Sequence, residues 1–172
     1  MVVGSLPQCS MMGFPATEVE VPDRPMTDSE DNIARHLSVI WRYLIMYAAR
    51  NLEHLGIGSG QYPYLLALYE EDGQSQQSLS DRLLVDKSAT VGAINKLEAL
   101  GYVDRRTDEN DKRYYRIFLT ALGWKIKPEL QAIVGGALES LLTGLSDDER
   151  ATALELTRRM AANILQATRG NP

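Results

Sequence analysis

Residues 78–123 read SLSDRLLVDKSATVGAINKLEALGYVDRRTDENDKRYYRIFLTALG, and the order of their parts decides the fold. A short helical stretch over 78–84, with Leu79, Leu83 and Leu84 as its apolar positions, runs into a tight turn. Asp86 has the side chain to cap a second helix over 87–100, and Gly101 ends it. YVDRR then reads as a strand, TDEND as a polar hairpin tip and KRYYRIFL as the returning strand. Helix, turn, helix and a two-stranded β wing, in that order, predict a winged helix-turn-helix, a unit shaped to dock on duplex DNA.

Outward from that centre the chain is helical, so the expected class is mainly α. Residues 1–26 carry four prolines (Pro7, Pro15, Pro22, Pro25) and no helical period, and read as a flexible tail. Thr27 and Glu30 have the spacing of a capping box. Ile33, Leu37, Ile40, Leu44 and Tyr47 then recur every three or four residues, a helix that ends before Gly56. A second helix is expected over 61–72, with Pro63 in its first turn. Beyond the wing, Thr120 caps a helix that runs through Leu142 with a bend at Pro128. Ser146 and Glu149 form a second capping box ahead of a last helix that frays at Gly170. The outer helices carry more apolar face than a small winged domain can cover, which points to a dimer interface. The expected domains are therefore a tail over 1–26, an α-helical dimerisation region over 27–58 and 120–169, and a DNA-binding winged helix-turn-helix over 59–119.

Composition narrows the function. The chain has 172 residues, 44% of them hydrophobic, which suits a globular fold with one ordinary core. A single cysteine, Cys9, excludes an internal disulfide. No apolar run approaches the length of a membrane span, and residues 1–15 make a poor signal peptide. A cytoplasmic protein without membrane contact is the expectation. The net charge is −5, but Lys87, Lys96, Arg105, Arg106, Lys112, Arg113 and Arg116 concentrate in the central stretch. A basic patch on an acidic body can still meet phosphates. An enzyme would need a nucleophile, base and orienter, or a metal site. The only histidines are His36 and His54, and no phosphate loop or metal spacing is present, so neither catalysis nor a cofactor is expected.

The second helix of the central unit carries the DNA reading. At 100° per residue, Thr90, Ile94 and Leu97 share one side with Val91 at its edge, while Ser88, Gly92, Asn95 and Lys96 fall opposite with Ala89 beside them. Small residues let a helix approach the floor of the major groove. Ser88 and Asn95 can bond base edges, and Ala89 or Val91 can touch a thymine methyl. Lys87 and Lys96 suit phosphates or a guanine edge. On the wing, Arg105, Arg106, Lys112 and Arg113 are the expected contacts, with Arg113 the residue for the minor groove. Asp108 or Asp111 is expected to form an ion pair that stabilises the wing.

The run VDKSATVGAINKLEALGYVDRRTDENDKRYYRIFLTALG resembles the multiple antibiotic resistance regulator (MarR) family. DKSATVGAINKLEALGYV is similar to its recognition helix and exit, RRTDENDKR to its wing signature, and FLTALG to its Leu-Thr-x-x-Gly entry into the following helix. Gly92 stands where many members place arginine, Leu84 where the turn often has glycine, and Glu109 where proline is frequent. Lys112 replaces the first arginine of an Asp-Arg-Arg triplet. The resemblance implies a transcriptional regulator, in the first instance a repressor, binding a pseudopalindrome in double-stranded DNA as a homodimer. It also implies release by a small phenolic or aromatic ligand. Trp41, Tyr47, Tyr62 and Tyr64, with His36 or Arg42 as an anchor for an acid, are candidate pocket residues; the alternative places these aromatics in the core or an interface. Two other functions stay open: a winged-helix protein-interaction module, and a redox-responsive regulator using Cys9.

Overall fold

The computed structural model describes residues 32–108, 111–112 and 114–169, and divides into two units, Met1–His36 and Leu37–Pro172. Of the first unit, residues 32–36 are described. There the Asn32 Oδ1 accepts the Arg35 amide at 2.9 Å, and the Asn32 carbonyl accepts a hydrogen bond from His36 Nδ1 at 3.2 Å. The tail over 1–26, Cys9 and the capping box expected at Thr27 and Glu30 lie outside the described residues. Helix α1 (Ile33–Leu52) begins here and ends in the second unit, followed by a single 3-10 turn, Glu53–Leu55, that stops at Gly56 with φ 67°.

In the second unit, α2 (Tyr62–Glu70) starts with Pro63 in its first turn, where a missing N–H costs nothing. Gly73, at φ 73°, then turns the chain into β1 (Gln74–Ser75). Serine 75 caps α3 (Gln76–Leu83), its Oγ accepting the Ser78 amide at 3.0 Å, and Asp86 caps α4 (Lys87–Ala99). Strands β2 (Val103–Thr107) and β3 (Tyr115–Leu119) form the wing, with Arg105 opposite Ile117 and Arg106 opposite Arg116. The sheet has three strands in the order β1-β3-β2, all antiparallel. The sequence predicts only the two of the wing. Gln74–Ser75 is too short for alternation to mark it as a strand, and it is one by its pairing with Ile117 and Arg116 of β3.

The helix expected from Thr120 to Leu142 is two helices, α5 (Ala121–Lys125) and α6 (Lys127–Leu141), joined at Ile126. Pro128 falls in the first turn of α6, the position that tolerates it, so the chain restarts its helix instead of bending one. Lys127 at the junction lies over the rings of Tyr69 and Trp124, 5.3 and 5.1 Å from their centroids. At the last helix, α7 (Asp147–Arg169), the capping box forms as expected: the Ser146 amide donates to Glu149 Oε2 at 2.8 Å.

One core joins these pieces. Leu52 of α1, Leu65 and Leu68 of α2, Leu79 of α3, Ile94 and Leu97 of α4, Ile117 of β3 and Leu130 of α6 are fully buried. Each contributes about 1.5–3 kcal/mol by leaving water.

Candidate nucleic-acid interface

The burial pattern of α4 follows its period. Thr90, Ala93, Ile94 and Leu97 are buried, and Lys87, Ser88, Ala89, Val91, Gly92, Asn95 and Lys96 are all exposed. A Cβ at Gly92 would meet nothing within 4 Å, so packing does not require glycine there and the position is a dip in the outer face. Asp86 accepts the Ala89 amide at 2.8 Å and the Ser88 hydroxyl at 2.5 Å. The hydroxyl first, and the amide after it, hold the Asp86 carboxyl below the usual carboxylate range.

The helix is also fastened from behind. Thr90 is fully buried and donates to the Asp86 carbonyl at 3.2 Å. Its Oγ1 takes the Ser80 hydroxyl at 2.8 Å and lies 3.1 Å from the Tyr64 hydroxyl. Three hydroxyls thus tie α2, α3 and α4 together, and among the described residues no buried side-chain polar atom lacks a partner. The sequence places Thr90 inward, but nothing in its spacing reveals that Tyr64 and Ser80 converge on it.

The wing is held by ion pairs. Arg105 reaches back to α4, where Nη1 donates to Glu98 Oε2 at 2.7 Å and Nη2 to Asn95 Oδ1. Arg106 stacks on Phe118, 4.6 Å from the ring centroid, with Asp104 3.8 Å away. Asp108 binds Arg116, which also donates to the Gly73 carbonyl at 3.1 Å, and the Asp108 Oδ1 accepts the Asp111 amide at 3.3 Å. The sequence counts Arg116 only among the central basic residues and not among the wing contacts; its place in β3 opposite Arg106 is what gives it the bracing role. Arg113, with Glu109 and Asn110, lies outside the described residues. Lys87, Lys96 and Lys112 are exposed and make no ion pair among the described residues. A cleft of about 570 Å³ separates helix from wing, lined by Ser75, Gln76 and Ser80, by Lys87 and Val91, and by Asp108, Tyr115 and Arg116 among others.

The residues expected around a ligand occupy different environments. Tyr64 is a core residue with its hydroxyl on Thr90. Tyr62 is half-buried, which pushes its hydroxyl pKa up. Tyr47 is half-buried, and a Cβ at Gly136 would sit 3.1 Å from its hydroxyl, so that glycine makes room for α1 against α6. Trp41 and Arg42 are exposed, as is His36 in the first unit.

The sequence profile of the MarR family matches residues 55–113. A MarR transcriptional regulator from Methanosarcina mazei Go1 is 41% identical, with a TM-score of 0.73 over 78% of this chain and 97% of that one. This chain belongs to the MarR family. The HTH-type transcriptional regulator YybA of Bacillus subtilis (strain 168), itself uncharacterized, is 31% identical over 78% of this chain and 89% of its own length. A MarR family regulator from Listeria monocytogenes, solved as a complex with 26mer DNA, is 26% identical with a TM-score of 0.74, covering 82% of this chain and 97% of that one. As a member of the MarR family the protein is a winged-helix transcriptional regulator and not an enzyme. Among the described residues no helix is long and apolar enough to cross a membrane, and no three His, Cys, Asp or Glu side chains are grouped to hold a metal ion.

Proposed function

We propose that this MarR-family regulator represses transcription by holding a pseudopalindromic operator as a homodimer. The observation that carries the reading is the outer face of α4: small or polar side chains, a dip at Gly92, and at its rim the cations Lys87 and Lys96, which make no ion pair among the described residues. Such a face fits the major groove, with the wing, braced by Arg105 and Arg116, reaching the adjacent minor groove. The Listeria monocytogenes relative bound to 26mer DNA supports the same use of the fold here. The division of labour follows the same logic, with residues 59–119 contacting DNA and residues 27–58 and 120–169 pairing two copies.

Selection of bound sequences from a random duplex pool is the direct test, and a two-fold symmetric consensus is the expected result. Lys96→Ala should weaken all sequences alike and reduce the salt slope by about one. Retention of no duplex at low salt would favour a protein-interaction module instead. Release by a small aromatic acid is the finer proposal, and Trp41, exposed on α1 in the pairing region, is its supporting observation. It requires operator affinity to fall with salicylate-like acids by a coupling of about 1–3 kcal/mol. Cys9→Ser distinguishes an oxidative switch from a ligand-driven one.

A further inference from the structure

We infer that Asn95 and Arg105 form one donor-only unit that selects guanine at a single position in each half-site. The inference rests on α4 entering the major groove as proposed above. Arg105 sits on β2 and stretches to α4, where Glu98 takes one of its donors at 2.7 Å and Asn95 Oδ1 takes another. A guanidinium offers five donors and no acceptor. Whatever faces it must accept, so the Asn95 amide turns its oxygen to Arg105 and leaves its NH2 for an incoming partner. Asn95 is exposed on the same side of α4 as Ser88 and Gly92.

An unconstrained asparagine reads adenine, accepting from N6–H and donating to N7. Here one of the two lone pairs of the amide oxygen is engaged by a cation, and that positive charge opposes the approach of a second N–H dipole to the other. Guanine shows two acceptors, N7 and O6, at its major-groove edge; cytosine shows a donor, and thymine one acceptor beside a methyl group. Guanine is therefore the base edge that matches a surface of donors alone. Glu98 lies three residues beyond Asn95, on the same flank of the helix, and fixes the guanidinium. Arg105 is thus a positioning residue: it decides which half of the Asn95 amide faces the groove.

The experiment is sequence selection followed by competition among duplexes carrying each base at the selected positions, with the parent, Asn95→Ala and Arg105→Met. The parent should prefer guanine at one position per half-site by about fivefold or more. Asn95→Ala should abolish that preference and leave the other positions unchanged. Arg105→Met frees the amide oxygen, and adenine should then equal or overtake guanine there. A purely structural role for Arg105 would instead weaken every sequence evenly. Adenine preferred by the parent at the Asn95-dependent position overturns the inference while α4 remains the reading helix. The same holds if no position depends on Asn95. Failure of the parent to retain any duplex removes the DNA-binding reading itself. If Arg105→Met does not fold, the parent and Asn95→Ala, a change on an exposed helix face, still decide the matter.

Discussion

At the residue scale, Gly123 connects a recognisable motif to its physics. Leu119, Thr120 and Gly123 mark a helix entry by type and spacing alone. What spacing does not reveal is that a Cβ at Gly123 would lie 2.3 Å from the Tyr102 carbonyl oxygen. Thr120 completes the joint, donating to the Gly101 carbonyl at 2.6 Å while its Oγ1 accepts the Gly123 amide at 3.0 Å. Gly123→Ala should therefore cost about 2–4 kcal/mol, read as a lower urea midpoint at unchanged slope. The Gly123 carbonyl also accepts the Tyr69 hydroxyl at 2.8 Å. Burial, with a smaller contribution from Tyr102, pushes the Tyr69 pKa from 10.0 up to about 12. The folded form thus keeps a proton that the unfolded chain releases. Its stabilisation is complete below pH 10, declines as pH rises and is lost beyond about pH 12. Chemical denaturation across that window should show a shallower pH dependence for Tyr69→Phe. An unchanged profile would mean that Tyr69 ionises freely in the folded state.

At the scale of elements, boundaries carried by a cap or a glycine were legible, and those set by tertiary pairing were not. Asp86, Thr120 and Ser146 start their helices where side-chain chemistry says they should. Strand β1 owes its existence to β3, and the candidate site residues Asn95 and Arg105 owe their pairing to the approach of β2 to α4; neither leaves a local pattern. The turn between α3 and α4 is an intermediate case. Leu84 occupies it with φ 55°, a left-handed conformation that costs a side chain about 1–2 kcal/mol, and it is 55% exposed, so little burial offsets that cost. Leu84→Gly should raise stability by roughly 0.5–1 kcal/mol after the added freedom of the unfolded chain is subtracted. Leu84→Val should lower it. Thermal melts of the two variants decide the point, and a less stable glycine variant would show that Leu84 packs against something the turn geometry does not account for.

At the scale of the whole molecule, apolar surface is left over. Leu37, Ile40 and Trp41 on α1, Leu138 and Leu141 on α6, and Leu154 and Ile164 on α7 are all exposed, with Trp41 63% accessible. Patches of this kind normally meet a partner. A second copy is the simplest one, since a closed two-fold sets two copies of α4 about one DNA turn apart. Sedimentation equilibrium should give a dimer at micromolar concentration, and Leu141→Asp or Ile164→Asp should shift it to monomer with loss of operator binding. A folded monomeric parent would remove both the dimer and the palindrome. How such a molecule could be switched is constrained by the three hydroxyls behind α4. With Thr90 bound to both Tyr64 and Ser80, α4 cannot roll or slide without breaking both contacts and leaving the buried Tyr64 hydroxyl without its partner, at a cost of about 1–3 kcal/mol. On the proposed DNA-binding reading, α4 then works as a tool fixed to the helices behind it. An effector that loosens its grip on DNA would have to swing the tool as a whole, leaving its edge unchanged, and a mutation that cuts one of these ties should blur sequence preference before it weakens attachment.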